Sequence, residues 1–532
     1  MKMITRINLS IAIFFSLFLI NTSFAQEGPS SRLEIEEIIV TGTKRDIGQQ
    51  DAAIAVSAIT EQAFANQNAN DPRAIASLVP NVTLTLQPAF NAVAGGIRGT
   101  GSISILVTED PSVAFLVDDF GLNHVQSQFI EMFDIEQIEV YRGPQGTLFG
   151  KNATGGVISV TTKKPVLDEW SGEFSAMAGQ YDWNEGSINK FKLALNAPIV
   201  EGKIAMRVAA IWDKSQGFYT NSKPAGDFPG PIVLNPAAAW PDDGTSLSNV
   251  GDGGDLGGKD VLAAKVKLLF EPNASYSGHL IFEISKDDSG SPPTVNETDC
   301  PGGQLFCLLG FPGIHTPSPN WGGEKWSNPY ATGESFHCNS VIAICKGHRM
   351  DSKGVYFNQT FAIGDNYTLK SITGYRNHEE RNASTYTGEA FASLYDASRN
   401  TERDQMQQEF RLTSEYDGPF NFTAGLSYAE DNLNFAAYAA VGLQWFLGVP
   451  GWIHTDYSST ATHQNRTSKA YYFDFTYEIN EAWRISAGIR ETEDEKQFVR
   501  ETGTLGNNAL GRPNNNISTC LLYTSPSPRD LY

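Results

Sequence analysis

From about residue 169 onward, polar and apolar positions alternate with period two over a dozen residues at a time. In 468–479 one face carries Tyr471, Phe473, Phe475, Tyr477 and Ile479, and the other Tyr472, Asp474, Thr476 and Glu478. Residues 202–214 set Ile204, Met206, Val208, Ala210 and Trp212 against Arg207 and Asp213, and 420–428 set Phe422, Ala424, Leu426 and Tyr428 against Asn421, Thr423 and Ser427. Period two with one fully apolar face describes a strand that has lipid on one side and a wet lumen on the other. About eleven such strands are expected, near 169–181, 187–199, 202–215, 259–271, 275–287, 353–363, 366–378, 406–416, 420–430, 467–479 and 482–494. Their connections alternate too. Residues 200–201, 271–274, 364–365, 417–418 and 480–481 make tight turns, whereas 216–258, 288–352, 379–405 and 431–466 are long. Short turns at one end and long loops at the other are the asymmetry of an outer-membrane barrel. A soluble sandwich also alternates, but strands this long with every long loop at one end favour the membrane.

The residues before the strands point to export. Lys2 and Arg6 open the chain with positive charge, 7–20 is an apolar run, and Ser23-Phe24-Ala25 offers small residues where a signal peptidase reads. A signal peptide over 1–25 would leave Gln26 as the mature N-terminus. The run is short of the ~20 residues a helical span needs, and no other segment reaches that length without charge, which excludes a helical membrane protein. Composition narrows the remaining compartments: 41% hydrophobic, 19% charged, 11% aromatic, 49 glycines and a formal net charge of −21. That balance argues against nucleic acid as a partner. It suits strands that are apolar on one face only and end in aromatic girdles.

Residues 134–160 read as strand, glycine-punctuated loop, strand. Gly143, Pro144, Gly146, Gly150, Gly155 and Gly156 fall between two β-branched runs, where they supply tight turns and close backbone crossings. A phosphate-binding loop needs four residues between its glycines and a hydroxyl after the lysine. Here three residues separate Gly146 from Gly150, and Asn152 follows Lys151.

Along its whole length this string resembles the signature of the plug domain of TonB-dependent outer-membrane receptors. The resemblance implies a mainly β fold: a transmembrane β-barrel of the 22-stranded type, about half of it present, with an N-terminal α+β plug domain filling the lumen. The plug would span 46–165, with Gly99, Gly143, Pro144, Gly146, Gly150, Asn152, Gly155 and Gly156 as its motif residues, and the partial barrel 166–504. Asp71 and Pro72 fit a helix start and Pro80 its stop. Asp110 to Asp119 reads as a turn into a strand, and Gly96-Ile97-Arg98-Gly99 also matches the plug pattern. In the N-terminal segment 26–45, Ile38, Ile39, Val40, Thr41 and Gly42 resemble the TonB box, which joins a partner's sheet as an added strand. The alternative for these five residues is the plug's own first strand. The resemblance further implies that Arg98 and Arg142 sit against Glu409 on the lumen face of the barrel.

As function, the resemblance implies active import of a scarce ligand across the outer membrane of a Gram-negative bacterium, driven by a TonB-type inner-membrane energy-transducing protein. The commonest cargo is a ferric siderophore or other iron complex; saccharide, haem, cobalamin or another organic nutrient are the alternatives. A passive porin would not need a domain filling its pore. The expected partners are therefore the energy-transducing protein, a small ligand and the lipid bilayer.

Cys300 with Cys307, and Cys338 with Cys345, repeat one spacing within a single long loop. In an oxidising compartment this reads as two disulfides stapling an extracellular loop. A metal site with His337 and His348 is the alternative, disfavoured because zinc clusters use closer cysteine pairs. His378-Glu379-Glu380 begins like a zinc-protease motif but lacks the second histidine, and no nucleophile elbow is present, so no enzyme, cofactor or resident metal is expected. From 505 to 532 no strand pattern returns. The end of this stretch, 524–530, is similar to translated adapter sequence, and the expectation there is a loop and a non-native tail. About 22 strands at the spacing seen here would need roughly twice the barrel length present.

Overall fold

The computed structural model describes residues 39–40, 44–45, 47–50, 52, 54–67, 71–87, 92–102, 107–128, 130–182, 186–217, 219–221, 255–289, 324–325, 337–338, 345–346, 348–385, 395–441, 457–480, 483–505 and 518–524. The expected signal peptide, Ile38, Thr41, Gly42, Cys300 and Cys307 lie outside these residues.

Besides a two-stranded pair of Ile39–Val40 with Ile47–Gly48, the N-terminal region builds two small sheets. The larger joins β1 (Val56–Thr60), β5 (Val113–Val117), β6 (Phe120–Gly121), β7 (Ile135–Arg142) and β8 (Gly156–Thr162), in the order β1-β7-β8-β5-β6. The smaller is β2 (Val82–Gln87), β3 (Ala92–Ile97) and β4 (Thr100–Ser102). β8 is central. It runs antiparallel to β7, with Val157 opposite Tyr141, and parallel to β5, with Ile158 opposite Phe115. Covered on both faces, it buries Val157, Ile158 and Val160. Ile75, Ile97, Phe115, Phe120, Ile138, Val140 and Ile158 form the core; burying each such side chain contributes about 1.5–3 kcal/mol.

Two short helices pack on these sheets. Thr60 caps α1 (Glu61–Ala65) by accepting from the Ala63 N–H at 3.4 Å. The second, α2 (Arg73–Leu78), starts as the sequence pattern requires: Asp71 Oδ1 accepts from the Arg73 N–H at 3.0 Å, Pro72 occupies the turn, and Val79 ends the helix before Pro80.

Around this region runs one antiparallel sheet in which each strand pairs with its sequence neighbour. Its members are β9 (Ser171–Gln180), β10 (Ser187–Val200), β11 (Ile204–Ser215), β12 (Lys259–Asn273), β13 (Tyr276–Asp287), β14 (His348–Ile363), β15 (Tyr367–Thr385), β16 (Tyr395–Ser414), β17 (Phe420–Val441), β18 (Tyr457–Asn480) and β19 (Trp483–Leu505). A twelfth, β20 (Ser518–Thr524), pairs with β19 and places Cys520 opposite Arg500. The expectation of eleven strands and a strandless stretch after 504 is therefore corrected: β19 continues to Leu505 and a further strand follows. The missed strand carries the apolar pair Leu521 and Leu522, too short a run to show a period. Among the described residues β9 and β20 are the two edges of the sheet, so it is open.

The strand faces are as the alternation predicts. Leu426, Tyr471, Phe473, Tyr477 and Ile479 point outward and are exposed, while Arg207, Asp213, Glu409 and Tyr472 point inward and are buried. The strands are longer than expected at their loop ends: β15 runs on to Thr385 rather than 378, and β16 begins at Tyr395 rather than 406. Beyond the apolar band both faces carry polar residues, His378, Glu380 and Asn382 inward and Glu379 and Arg381 outward, so alternation stops being a signal while the backbone ladder continues.

Candidate functional site at the plug–wall interface

The glycine-rich string forms the turn between β7 and β8 and a single helical turn, α3 (Gly146–Phe149), inside it. Its glycines have different reasons. At Gly156, φ is +154° and a Cβ would lie 2.3 Å from the Tyr141 carbonyl oxygen, so main chain crosses main chain there. At Gly155 a Cβ would meet the Thr100 carbonyl oxygen at 2.5 Å. Gly150, with φ +84°, lies under the Arg490 guanidinium of β19, whose Nη2 would be 3.3 Å from a Cβ. Gly143 and Gly99 take φ of +105° and +77°. Gly146 is different, since nothing lies within 4 Å of where its Cβ would be. Pro144 and Gly146 border a cavity of about 460 Å³ shared with Arg45, Asp474 and Arg484. Asn152 is buried beside Lys44 and Arg490 in a smaller one of about 110 Å³.

Three clusters tie this domain to the wall, the third joining Asp110 to Arg466 of β18 at 3.0 Å and Lys151 to Asp494 of β19 at 3.6 Å. In the first, Asp134, at the start of β7, is gripped by Arg207 of β11 at 2.6 Å and by Lys267 of β12 at 2.8 Å. The Lys267 side chain has no exposure and the Asp134 side chain 2%, and Lys267 also donates to the Lys163 carbonyl at 2.7 Å. Burial works to raise the Asp134 pKa, but the hydrogen bond from Arg207 and the charge of Lys267 outweigh it and hold it below the ordinary carboxylate range.

The second cluster holds the turn between β5 and β6, where Asp118 and Asp119 both take left-handed φ, of 49° and 71°. Gln407 of β16 accepts from the Gly121 N–H at 3.0 Å and donates to the Asp119 carbonyl at 3.2 Å. Gln405 donates to the Gly121 carbonyl, and Asn358 of β14 to that of Asp118 at 2.9 Å. Below them Arg411 reaches Asp119 at 3.4 Å and Glu409 at 2.8 Å, and Tyr472 donates to Glu409 at 2.7 Å. Period two along β16 puts Gln405, Gln407, Glu409 and Arg411 in one inward row.

The expected pairing of Arg98 and Arg142 with Glu409 is not what the chain builds. Glu409 is on the lumen face, as its neighbours Phe410 and Leu412 imply, but its partners are Arg411 and Tyr472. Arg98 is exposed and rests against Gly143, and the Nε of Arg142 has no hydrogen-bond partner. A single strand that offers both an acid and an arginine two residues apart satisfies itself first. Asp134, Lys267, Gln405, Gln407 and Arg411 were not foreseen. The available signal was charge or amide at inward positions of strands whose outward positions are apolar.

Of the TonB-box residues, Ile39 and Val40 are described, as a two-residue strand. Val40 is fully buried against Val56, Leu116, Tyr141 and Val157, while Ile39 is 53% exposed. In the long loop, the register sets Cys338 opposite Cys345 in a short antiparallel pair. His378 and Glu380 lie on strand β15, not on a helix. Glu380 is 3.5 Å from both His348 and His378, yet among the described residues no three His, Cys, Asp or Glu side chains group so as to hold a metal ion.

A glycine-braced α+β domain seated by buried charges inside an open, lipid-facing sheet defines a plugged outer-membrane receptor. Residues 48–157 match the family model described as the TonB-dependent Receptor Plug Domain. The pesticin receptor of Yersinia pestis is 25% identical over 231 residues, which cover 42% of this chain and 30% of that protein. The ferric enterobactin receptor of Pseudomonas aeruginosa is 28% identical over 227 residues, or 38% and 30% of the two chains. The crystal structure of the ferric yersiniabactin uptake receptor of Yersinia pestis superposes with a TM-score of 0.63 at 15% identity, covering 88% of this chain and 60% of that one. Residues 48–157 are a plug domain of the TonB-dependent receptor type, and the sheet around them has the fold of such a receptor's barrel. The chain spans under a third of the length of these curated relatives by sequence alignment and about three fifths of the structural neighbour.

Proposed function

We propose that the receptor to which this chain contributes its plug and plug-bearing strands imports an iron complex of the ferric-siderophore class, driven by a TonB-type protein that pulls on Ile38 to Gly42. The observation that carries this reading is the plug's seating. It is held by a limited set of discrete polar ties, so it closes the lumen firmly and still has a route to rearrangement under force. The iron-related names of the relatives favour an iron complex over saccharide or cobalamin. Proline at Ile39 tests the energy coupling, because it removes a strand-pairing N–H without touching any surface that faces a ligand. In the full-length receptor, Ile39→Pro should abolish uptake of radiolabelled ferric complex and leave binding to cells intact. Uptake at the wild-type rate would refute the assignment.

A further inference from the structure

Lys44 lies two residues beyond the expected TonB box, and its surroundings are unusual for a lysine. Its side chain is 4% exposed, its backbone takes a left-handed φ of 62°, and its Nζ sits 4.3 Å above the Phe149 ring and 3.5 Å from Asp119 Oδ1. That same oxygen is the one Arg411 reaches from the wall at 3.4 Å. One carboxylate oxygen is thus shared by a cation from the N-terminal segment and a cation from the barrel. The group balances as two cations, Lys44 and Arg411, against two acids, Asp119 and Glu409. The next residue adds a second hold on the wall, since Arg45 Nε donates to Thr423 of β17 at 3.3 Å.

We infer that Lys44 is a latch: its withdrawal from the Asp119 cage is the event that converts a pull on the N-terminal segment into release of the β5–β6 turn from the barrel wall. The inference rests on the importer reading above. Its direction follows from the distances. With Lys44 gone, Arg411 is the one close cation facing both the buried Glu409 and the partly exposed Asp119. Glu409 keeps the shorter contact to Arg411 and its hydrogen bond from Tyr472, whereas Asp119 keeps only the longer contact. Asp119 is therefore the acid that leaves, and it takes the turn with it. Burial favours a neutral Asp119, and it is Arg411 and Lys44 that hold it ionised, so the turn's attachment depends on both cations being present. The 110 Å³ cavity bordered by Lys44, Asp119 and Glu409 gives water a place to enter as the lysine moves out.

The test needs neither ligand nor energy-transducing partner. Hydrogen exchange is followed by mass spectrometry on the full-length receptor, on peptides covering 44–50, 113–121 and 135–142. Lys44→Met should speed exchange about tenfold in both of the first two and leave the third, beside Asp134, within about twofold. Lys44→Arg, which keeps the charge, should stay near wild type. Asp119→Asn should release the 113–121 peptide as Lys44→Met does, and the double variant should go no further than either single one. A wild-type rate for 113–121 in Lys44→Met, or additive effects in the double variant, would overturn the latch. If Lys44→Met does not give the heat-modifiable barrel band, Asp119→Asn carries the same comparison from the other side of the pair. Failure here leaves the import reading standing, because that reading depends on uptake by the Ile39→Pro variant.

Discussion

The tie with the largest single consequence is Asp134. Replacing it with Asn keeps the shape and removes the charge, which leaves Arg207 and Lys267 facing each other as buried cations. Their side-chain exposures of 9% and 0% rule out much help from solvent. Breaking a buried ion pair by removing one partner costs about 3–5 kcal/mol, which corresponds to roughly a hundredfold to several thousandfold in a local opening equilibrium. The loss is local in space, because the Asp134 carbonyl also accepts the Lys163 N–H at 2.9 Å and so joins the start of β7 to the end of β8. In the full-length receptor, amide exchange in 135–142 and 156–162 should rise at least about a hundredfold in Asp134→Asn while the barrel band remains heat-modifiable. Adding Arg207→Met and Lys267→Met to Asp134→Leu should recover most of the protection, since an apolar replacement of the whole group is near neutral. The folded-state pKa of Asp134 is depressed, so its contribution is fully present above the unfolded value of about 4 and is lost as pH falls through the lower folded value. Wild-type protection should accordingly fall in acid more steeply than that of Asp134→Asn. A change under about threefold at neutral pH would refute the claim that this triad seats the plug.

Burial, with Asp287, Asp213 and Asp71 nearby and only partly offset by Lys259, pushes the Glu131 carboxyl up to about 7. Because that folded value exceeds the unfolded one, stability falls as pH rises from about 4 to 7, and Glu131→Gln should flatten exchange protection of the surrounding plug between those limits. Gly156→Ala should destabilise the plug by about 3 kcal/mol or more, seen as protease sensitivity of the full-length receptor. Gly146→Ala, with open space at its Cβ, should stay within about 0.5 kcal/mol; equal effects would refute the crossing argument. Mass spectrometry of non-reduced digests of receptor from outer membranes should find Cys338 joined to Cys345 and Cys300 to Cys307; four free thiols would count against both bridges.

The transmembrane strands were legible because lipid imposes a one-residue alternation sustained over about a dozen residues. The strands 171–180 to 483–505 were each found, and so were the tight turns between them. Their outer ends were not, since in stretches such as 378–382 the buried inward residues His378, Glu380 and Asn382 are as polar as the exposed Glu379 and Arg381. The plug was legible from its glycines, and the crossing at Gly156 and the positive φ of Gly143 are the reasons expected for them. The approach of Arg490 to Gly150, from more than 300 residues away, is announced by no local pattern. The anchors were the least legible part. Glu409 was recognised by its face, yet its partner was assigned across the interface when Arg411, on the same face of the same strand, was nearer.

The first two ties differ in kind, and the difference bears on how a seated plug yields. The Asp134 carboxylate is held by charged hydrogen bonds from two buried cations, so the triad gives nothing until the whole carboxylate is withdrawn. The β5–β6 turn is held mostly by neutral hydrogen bonds from Gln405, Gln407 and Asn358 to backbone groups. Each is worth about 1 kcal/mol net and can be exchanged for water one at a time, with the Lys44–Asp119–Arg411 group as the one cooperative element among them. Residues 44 and 45 are attached on the turn's side, through Asp119 and Thr423. Force entering there loads the graded tie first and reaches Asp134 only through the β-sheet behind it. On the import reading, a plug held this way would open along the wall of β16 and β17 while Asp134 keeps its other side on β11 and β12.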